Sequence, residues 1–353
     1  MKPSLRLLAG AVVALLLALP VAAQDETRKP RPLFASHEII QLTIEAPVDR
    51  LIRERSREGL QVPGRLLLRG DAPETLPIAL ALRGRTRRTA EVCPFPPLEL
   101  RFSARPPGES LFAGQGRIKL VTHCRQTPQF QQHILLEYAA YRILNLLTPQ
   151  SFSVRLAQID YVGTNGRLMA SRYGILIEPL DQVARRNRMQ VVRVMGNIPE
   201  TRFDPAAAAR FALFHELIGS LDWSMNGAPE GGACCHNVRQ ISARGERQLL
   251  VPVPYDFDYA GLVDAPYAVP PELVRVRSVR ERRYRGFCRH NDEALAYAAE
   301  LSGKREQVLA VLDEIGPLEE RARSRAKAYL DSHFRDLAAQ DRTAERIAQH
   351  CLR

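Results

Sequence analysis

Apolar positions come in short, strand-like runs through the first half of the chain and at helical spacing through the second. Runs at 39–44, 65–68, 76–82, 98–102, 117–122, 154–161 and 169–177 predict β-strands, with turn residues between many of them. One helix interrupts them: over 131–147, Ile134, Leu135, Tyr138, Tyr141, Ile143 and Leu144 fall within a broad apolar stripe. From Leu180 onward helical spacing dominates. The stretch 205–221 carries Phe211, Leu213, Phe214, Leu217 and Ile218, and the segments from 292 to the C-terminus are amphipathic and rich in Ala, Leu, Glu and Arg. Only two short strands, 237–241 and 248–253, are expected in that half. The pattern predicts an α+β chain of two lobes: β-rich with one helix over 37–179, mainly helical with a small hairpin over 180–353.

The N-terminus changes the picture of where this chain folds. Lys2 and Arg6 precede a run from Leu7 to Leu19 that is nearly all Leu, Ala and Val, and Pro20-Val21-Ala22-Ala23 supplies small residues suited to signal-peptidase cleavage. Residues 1–23 therefore read as a signal peptide, with a flexible segment over 24–36. That run is short of the about 20 residues a membrane helix needs, so no stable membrane span is expected and the mature chain is placed in the periplasm or outside the cell. Six cysteines, an even number, suit an oxidising compartment. Cys93 and Cys124 flank one predicted group of strands and are expected to pair, with Cys234, Cys235, Cys288 and Cys351 pairing among themselves. A zinc reading of Cys234-Cys235-His236 is disfavoured, because adjacent cysteines do not match the usual ligand spacing.

A formal charge of +11 implies acidic partners: phosphate-bearing ligands, acidic or envelope-associated proteins, or anionic surfaces. Nucleic acid is disfavoured by the export signal. The run 275–285, with six arginines, suggests either a dock for such partners or a solvated basic segment.

Candidate chemistry concentrates at three places. In Val253-Pro254-Tyr255-Asp256-Phe257-Asp258, two carboxylates follow an apolar run, and in an extended backbone residues i and i+2 share a face. Asp256 and Asp258 together suit a hard cation such as Mg²⁺ (or Mn²⁺). Asp222, just past a helix, and His236-Asn237, opening the predicted hairpin, precede them. Each alone is an ordinary turn residue. In this order, an Asp to accept a hydroxyl proton and an Asn and an Asp on a metal make the sequence of roles used in phosphoryl transfer. The third place is a lysine. Only five lysines accompany 45 arginines, and Lys119 stands alone between Lys29 and Lys304, inside the apolar run Ile118-Lys119-Leu120-Val121. A compact ammonium on a strand, steadied by Glu137 from the helix that follows, would hold nucleotide phosphates. The arrangement is the outline of a kinase-like fold.

These residues carry a resemblance. Arg83-Gly84-Arg85-Thr86-Arg87 followed by Leu98-Glu99-Leu100-Arg101-Phe102, then Lys119-Leu120-Val121, the helix ending Tyr138 to Arg142, Asn165-Gly166 with Gly174-Ile175-Leu176-Ile177-Glu178, and finally Asp222, His236-Asn237 and Asp256-Phe257-Asp258 are similar, in order, to the motifs of the CotH-type spore-coat kinases. That family of secreted or surface atypical kinases implies an atypical protein-kinase-like two-lobed fold, ATP and Mg²⁺ as cofactors, and transfer to hydroxyls of a protein substrate. It implies Asp222 as catalytic base, Asn237 and Asp256 as metal ligands, Lys119 as phosphate contact, Arg83 in the opening motif as a further cofactor-binding residue, and Glu178 where the adenine-side strand meets the helices. The sequence departs from the family in Arg85-Thr86 and in the Gly- and Cys-rich insertion 226–235. Two other expectations stay open: a catalytically inactive envelope or adhesion scaffold, and a transferase moving AMP rather than phosphate. No G-x-S-x-G or H-E-x-x-H motif supports a hydrolase.

Overall fold

The computed structural model describes residues 29–84, 86–227, 233–245, 249–272 and 274–353. The expected signal peptide lies outside the described residues, as does part of the flexible segment after it. Seven strands, β1 (Ile40–Glu45), β2 (Gln61–Arg69), β3 (Glu74–Leu82), β4 (Leu98–Phe102), β5 (Arg117–Val121), β6 (Val154–Val162) and β7 (Leu168–Ile177), close into a barrel in the order β1-β2-β3-β4-β5-β7-β6. All neighbours are antiparallel except β1 and β6, which pair in parallel from Ile40↔Ala157 to Glu45↔Val162 and seal the barrel.

This overturns the expected two-lobed kinase-like fold with a single N-lobe helix. The barrel is closed and mixed, and eight α-helices accompany it among the described residues. Two of them fall in the first half: α1 (Val48–Arg53) and α2 (Gln129–Leu147). The reason is that β1 buries Ile40, Leu42 and Ile44 on one face while both of its edges are hydrogen-bonded, to β2 and to β6. Period-two patterning fixes which face of a strand is buried but not which strand lies beside it. Closure removes the free edge an open sheet would expose.

Two cores result. One fills the barrel with Leu42, Ile44, Leu66, Leu80, Leu100, Ile118, Leu120 and Ile159. The other runs from the α2 side of β6 and β7 through α4 (Pro205–Ile218) to the C-terminal helices α5 (Asn291–Ser302), α6 (Arg305–Asp313), α7 (Glu320–Ala338) and α8 (Gln340–His350). A second sheet, β10-β9-β8, contains β8 (Met189–Val192) besides the expected hairpin of β9 (Val238–Ala243) and β10 (Leu250–Pro254); the remaining helix is α3 (Leu180–Arg186).

α4 shows how sequence sets the edge of the site. Asp204 caps it by accepting from the Ala207 amide at 2.8 Å, and Pro205 occupies the first turn, where no amide hydrogen is needed. Gly219, at φ 65°, ends it in the left-handed conformation; a Cβ there would lie 1.9 Å from the Tyr329 hydroxyl. The chain then turns out to Asp222.

Disulfides join Cys93 to Cys124, Cys234 to Cys235 and Cys288 to Cys351, pairings compatible with an oxidising compartment. The Cys234–Cys235 bond removes the thiolates a zinc site would need. No described helix is long and apolar enough to cross a membrane. The arginine-rich run 275–285 is neither helical nor wholly solvated. Arg282 lies over the Tyr329 ring at 3.7 Å and Arg285 over the Trp223 ring at 4.6 Å.

Candidate functional site

The site assembles where β5, α2, the β9–β10 hairpin and the loop after α4 meet. After β10 the Tyr255 amide donates to the Asn237 carbonyl (3.0 Å), and the Asp256 amide accepts no further strand partner but donates to the Tyr141 hydroxyl of α2 (2.8 Å). Asp256 turns left-handed at φ 67°, and Asn237 does the same at φ 54°. Asn and Asp tolerate this region better than most residues. Phe257 plugs the core against Tyr141 and Phe214, with centroids 4.6 and 5.3 Å away, so its two neighbours are held at the surface of the plug. Asp256 and Asp258 do come together. They do so through this turn, not through strand alternation.

Their third companion is Glu137. One carboxylate oxygen from each of Glu137, Asp256 and Asp258 lies within 4.8 Å of the others. Arg87, from the short turn Thr86–Arg88, inserts a buried guanidinium among them. Its Nη2 hydrogen-bonds Asp256 Oδ1, its Nε lies 3.3 Å from Asp258 Oδ2 and its Nη1 3.7 Å from Glu137 Oε2. Glu137 therefore pairs with Arg87, and not with Lys119. Glu137 Oε1 and Asp258 Oδ2 are buried and make no hydrogen bond.

The electrostatics follow from crowding. Burial pushes the Glu137 carboxyl up to about 8, against the pull of Arg87. Burial likewise lifts Asp258 to about 6, Arg87 opposing and Asp256 adding to the rise. Asp256, whose side chain is 28% exposed, is held below its ordinary value because Arg87, Arg83 and Lys119 outweigh its burial. Burial works against the charge of Arg87, but Asp258, Asp256 and Glu137 more than compensate.

Across Asp256 the sign reverses. Lys119 Nζ and Arg239 Cζ flank the Tyr255 ring, at 4.5 and 4.9 Å from its centroid. Burial lowers Lys119 to about 7, with Arg83 and Arg239 adding to the drop. Lys119 pairs in register with Glu99 of β4, yet the Glu99 carboxylate is engaged by Arg101. Lys119, Arg83 and Arg239 have no carboxylate ion-pair partner among the described residues. Such a group attracts an anion.

Asp222 faces the cleft from the α4 side. Its Oδ1 lies 2.7 Å from His236 Nε2 and its Oδ2 accepts from Asn237 Nδ2 at 3.0 Å, while the Asp222 carbonyl accepts from the same amide at 2.8 Å. Asn237 thus spends its amide hydrogens on Asp222. Glu178 is apart from all of this. It is buried in an ion pair with Arg186 (3.2 Å) and accepts the Ser153 amide (2.9 Å), which leaves it nothing to offer a ligand.

Lys119, Arg83, Glu137, Asp222, Asn237, Asp256 and Asp258 therefore lie in one electrostatic neighbourhood, and Glu178 lies apart from it. Arg87, Tyr255 and His236, named in the sequence motifs without a role of their own, also belong here, as does Arg239. Nothing in the spacing says which arginine of so many serves the carboxylates. A cavity of about 480 Å³ between the start of α2, the Leu262–Asp264 turn and α7 holds none of these residues. Compared with known proteins, the chain matches no family model and no curated protein.

Proposed function

We propose that this protein is an exported phosphotransferase that uses ATP and Mg²⁺ (or Mn²⁺) to phosphorylate a hydroxyl of a protein substrate. The observation that carries this reading is the reversal of charge at Tyr255-Asp256, where cations without a carboxylate ion-pair partner among the described residues adjoin a carboxylate cluster in which two buried oxygens lack a hydrogen bond. A metal-bound polyphosphate presents the complementary pair of charges. The ordered motifs similar to the CotH-type kinases support the same chemistry.

In this reading Glu137, Asp256 and Asp258 would hold the metal, with Asn237 the further ligand that the resemblance implies. Once bound, the ion neutralises charge building on the transferring phosphoryl group. Lys119, Arg83 and Arg239 bind the phosphates. A phosphate beside Lys119 restores the proton that burial has loosened. Asp222, oriented by His236 and Asn237, accepts the proton of the substrate hydroxyl. That oxygen then bonds to the γ-phosphorus as the bond to the β–γ bridging oxygen breaks, and ADP leaves with the electron pair.

Arg87 favours a second reading. A guanidinium already neutralises the carboxylates, as it would in a catalytically inactive scaffold protein. Calorimetry with ATP and Mg²⁺ on the mature, oxidised protein separates the two. Saturable binding, lost in Asp256→Ala, is expected for the enzyme. No heat and no thermal shift from the native protein would leave the scaffold.

A further inference from the structure

We infer that Arg87 is a resident cation which the metal must displace, and that an anion bound at Lys119, Arg83 and Arg239 is what releases it, so that metal and phosphate bind cooperatively. The inference deepens the proposed function and rests on it for the identity of the two ligands.

Space comes first. The three carboxylate oxygens lie within 4.8 Å of one another, which leaves room for one cation, and the guanidinium is in it. Arg87 and a divalent ion are thus mutually exclusive occupants. The fit of the present occupant is poor. A planar fork engages Asp256 closely but leaves Glu137 Oε1, on a side chain only 1% exposed, with no hydrogen bond, and reaches Asp258 Oδ2 at a distance without an aligned one. A compact divalent ion takes about six oxygens and meets such atoms directly.

The turn bearing Arg87 is anchored from its other side. Arg88 Nε donates to the Arg55 carbonyl at 2.6 Å and its Nη2 to the Arg57 carbonyl at 2.9 Å. The Arg87 side chain can therefore swing out while its backbone stays in place. Its alternative partner is close. Arg87 hydrogen-bonds Asp256, and Lys119 and Arg239 lie over the ring of Tyr255, its neighbour in the chain, so a phosphate held there is one residue away from the guanidinium. Guanidinium binds phosphate through paired, charge-assisted hydrogen bonds at least as well as it binds carboxylate. Phosphate binding thus gives Arg87 a new partner at the moment the metal takes its old ones. Without the anion, a metal must strand a buried guanidinium, which is costly.

The test is Mn²⁺ binding, read from the paramagnetic resonance of free Mn²⁺, with and without inorganic phosphate, a weak chelator. In the native protein phosphate is expected to tighten Mn²⁺ by about 5- to 150-fold, the usual range of coupling between sites. Arg87→Gln is expected to bind Mn²⁺ more tightly alone, with phosphate tightening it less than in the native protein. A purely structural Arg87 would move stability but not this ratio. Equal Mn²⁺ affinity with and without phosphate in the native protein overturns the role given to Arg87 and leaves the metal site standing. No Mn²⁺ binding by either protein removes the site and the proposed function with it. Should Arg87→Gln fail to fold, the native ratio alone decides.

Discussion

Glu137 and Glu178 are both buried glutamates, both paired with an arginine, and only Glu137 lies in the proposed site. Glu178 meets Arg186 at 3.2 Å and the Ser153 amide at 2.9 Å, and Arg186 in turn donates to the carbonyls of Pro149 and Ser151. Every strong group in that cluster is used. Glu137 meets Arg87 only at 3.7 Å, shares it with Asp256 and Asp258, and keeps Oε1 unbonded. A buried ion pair is therefore not a sign of function by itself. What marks the functional one is bonding capacity left over after the protein has satisfied what it can.

The largest effect is expected at the satisfied pair. Glu178→Ala leaves the Arg186 guanidinium buried without its carboxylate, a loss of about 3–5 kcal/mol for a broken buried pair. Urea unfolding should show that loss, while Mn²⁺ affinity of the folded fraction stays unchanged. A change in metal affinity would place Glu178 in the site and erase the distinction.

The same distinction explains what the sequence could and could not convey. Alternation marked Leu42 and Ile44, or Leu76, Ile78 and Leu80, as one buried face, and the apolar stripe marked the buried side of α2. These depend only on near neighbours along the chain. The parallel closure of β1 on β6 joins residues more than a hundred positions apart, and no periodicity encodes it. α3 and β8 escaped notice because seven and four residues are too few to establish a period. At the site, the spacing of Asp256 and Asp258 was legible, and so was the oddity of Lys119. Arg87 and Arg239 were not, because in a chain where arginine is nearly the only cation its presence carries no signal. Glu178 stood out by position in a motif; only its hydrogen bonds show that it is spent.

Lys119 gives an effect of intermediate size, on the cationic side. Burial first, then Arg83 and Arg239, lower it to about 7, so between about 7 and its ordinary 10.5 the unfolded chain holds the extra proton. Native stability from this residue accordingly rises with pH across that window and is lost as pH falls through 7. Lys119→Met should be more stable than the native protein at pH 6, by about 1–2 kcal/mol, well inside the 1.36 kcal/mol per unit that the shift allows. The gain should shrink toward pH 10. Chemical denaturation at several pH values measures it. An unchanged difference across the range would mean that Lys119 is solvated and not held among the arginines.

The smallest stability change is expected where the functional loss is greatest. Burial raises the Glu137 carboxyl above its ordinary 4.5, so near pH 4.5 Glu137→Gln replaces a neutral carboxyl with a neutral amide of the same shape. Stability at pH 4.5 should change by less than about 1 kcal/mol. The sign with pH is definite. Because the folded value lies above the ordinary 4.5, native stability from this group is complete below 4.5 and declines as pH rises to about 8. The variant lacks that decline and should gain on the native protein as pH rises from 4.5 to about 8. Mn²⁺ binding, by contrast, should fall sharply, since an amide offers one neutral oxygen in place of a carboxylate. If Glu137→Gln instead costs as much as Glu178→Ala and leaves Mn²⁺ binding intact, the two glutamates are the same kind of residue. The carboxylate cluster is then a structural seat for Arg87, and the scaffold reading takes the place of the enzyme.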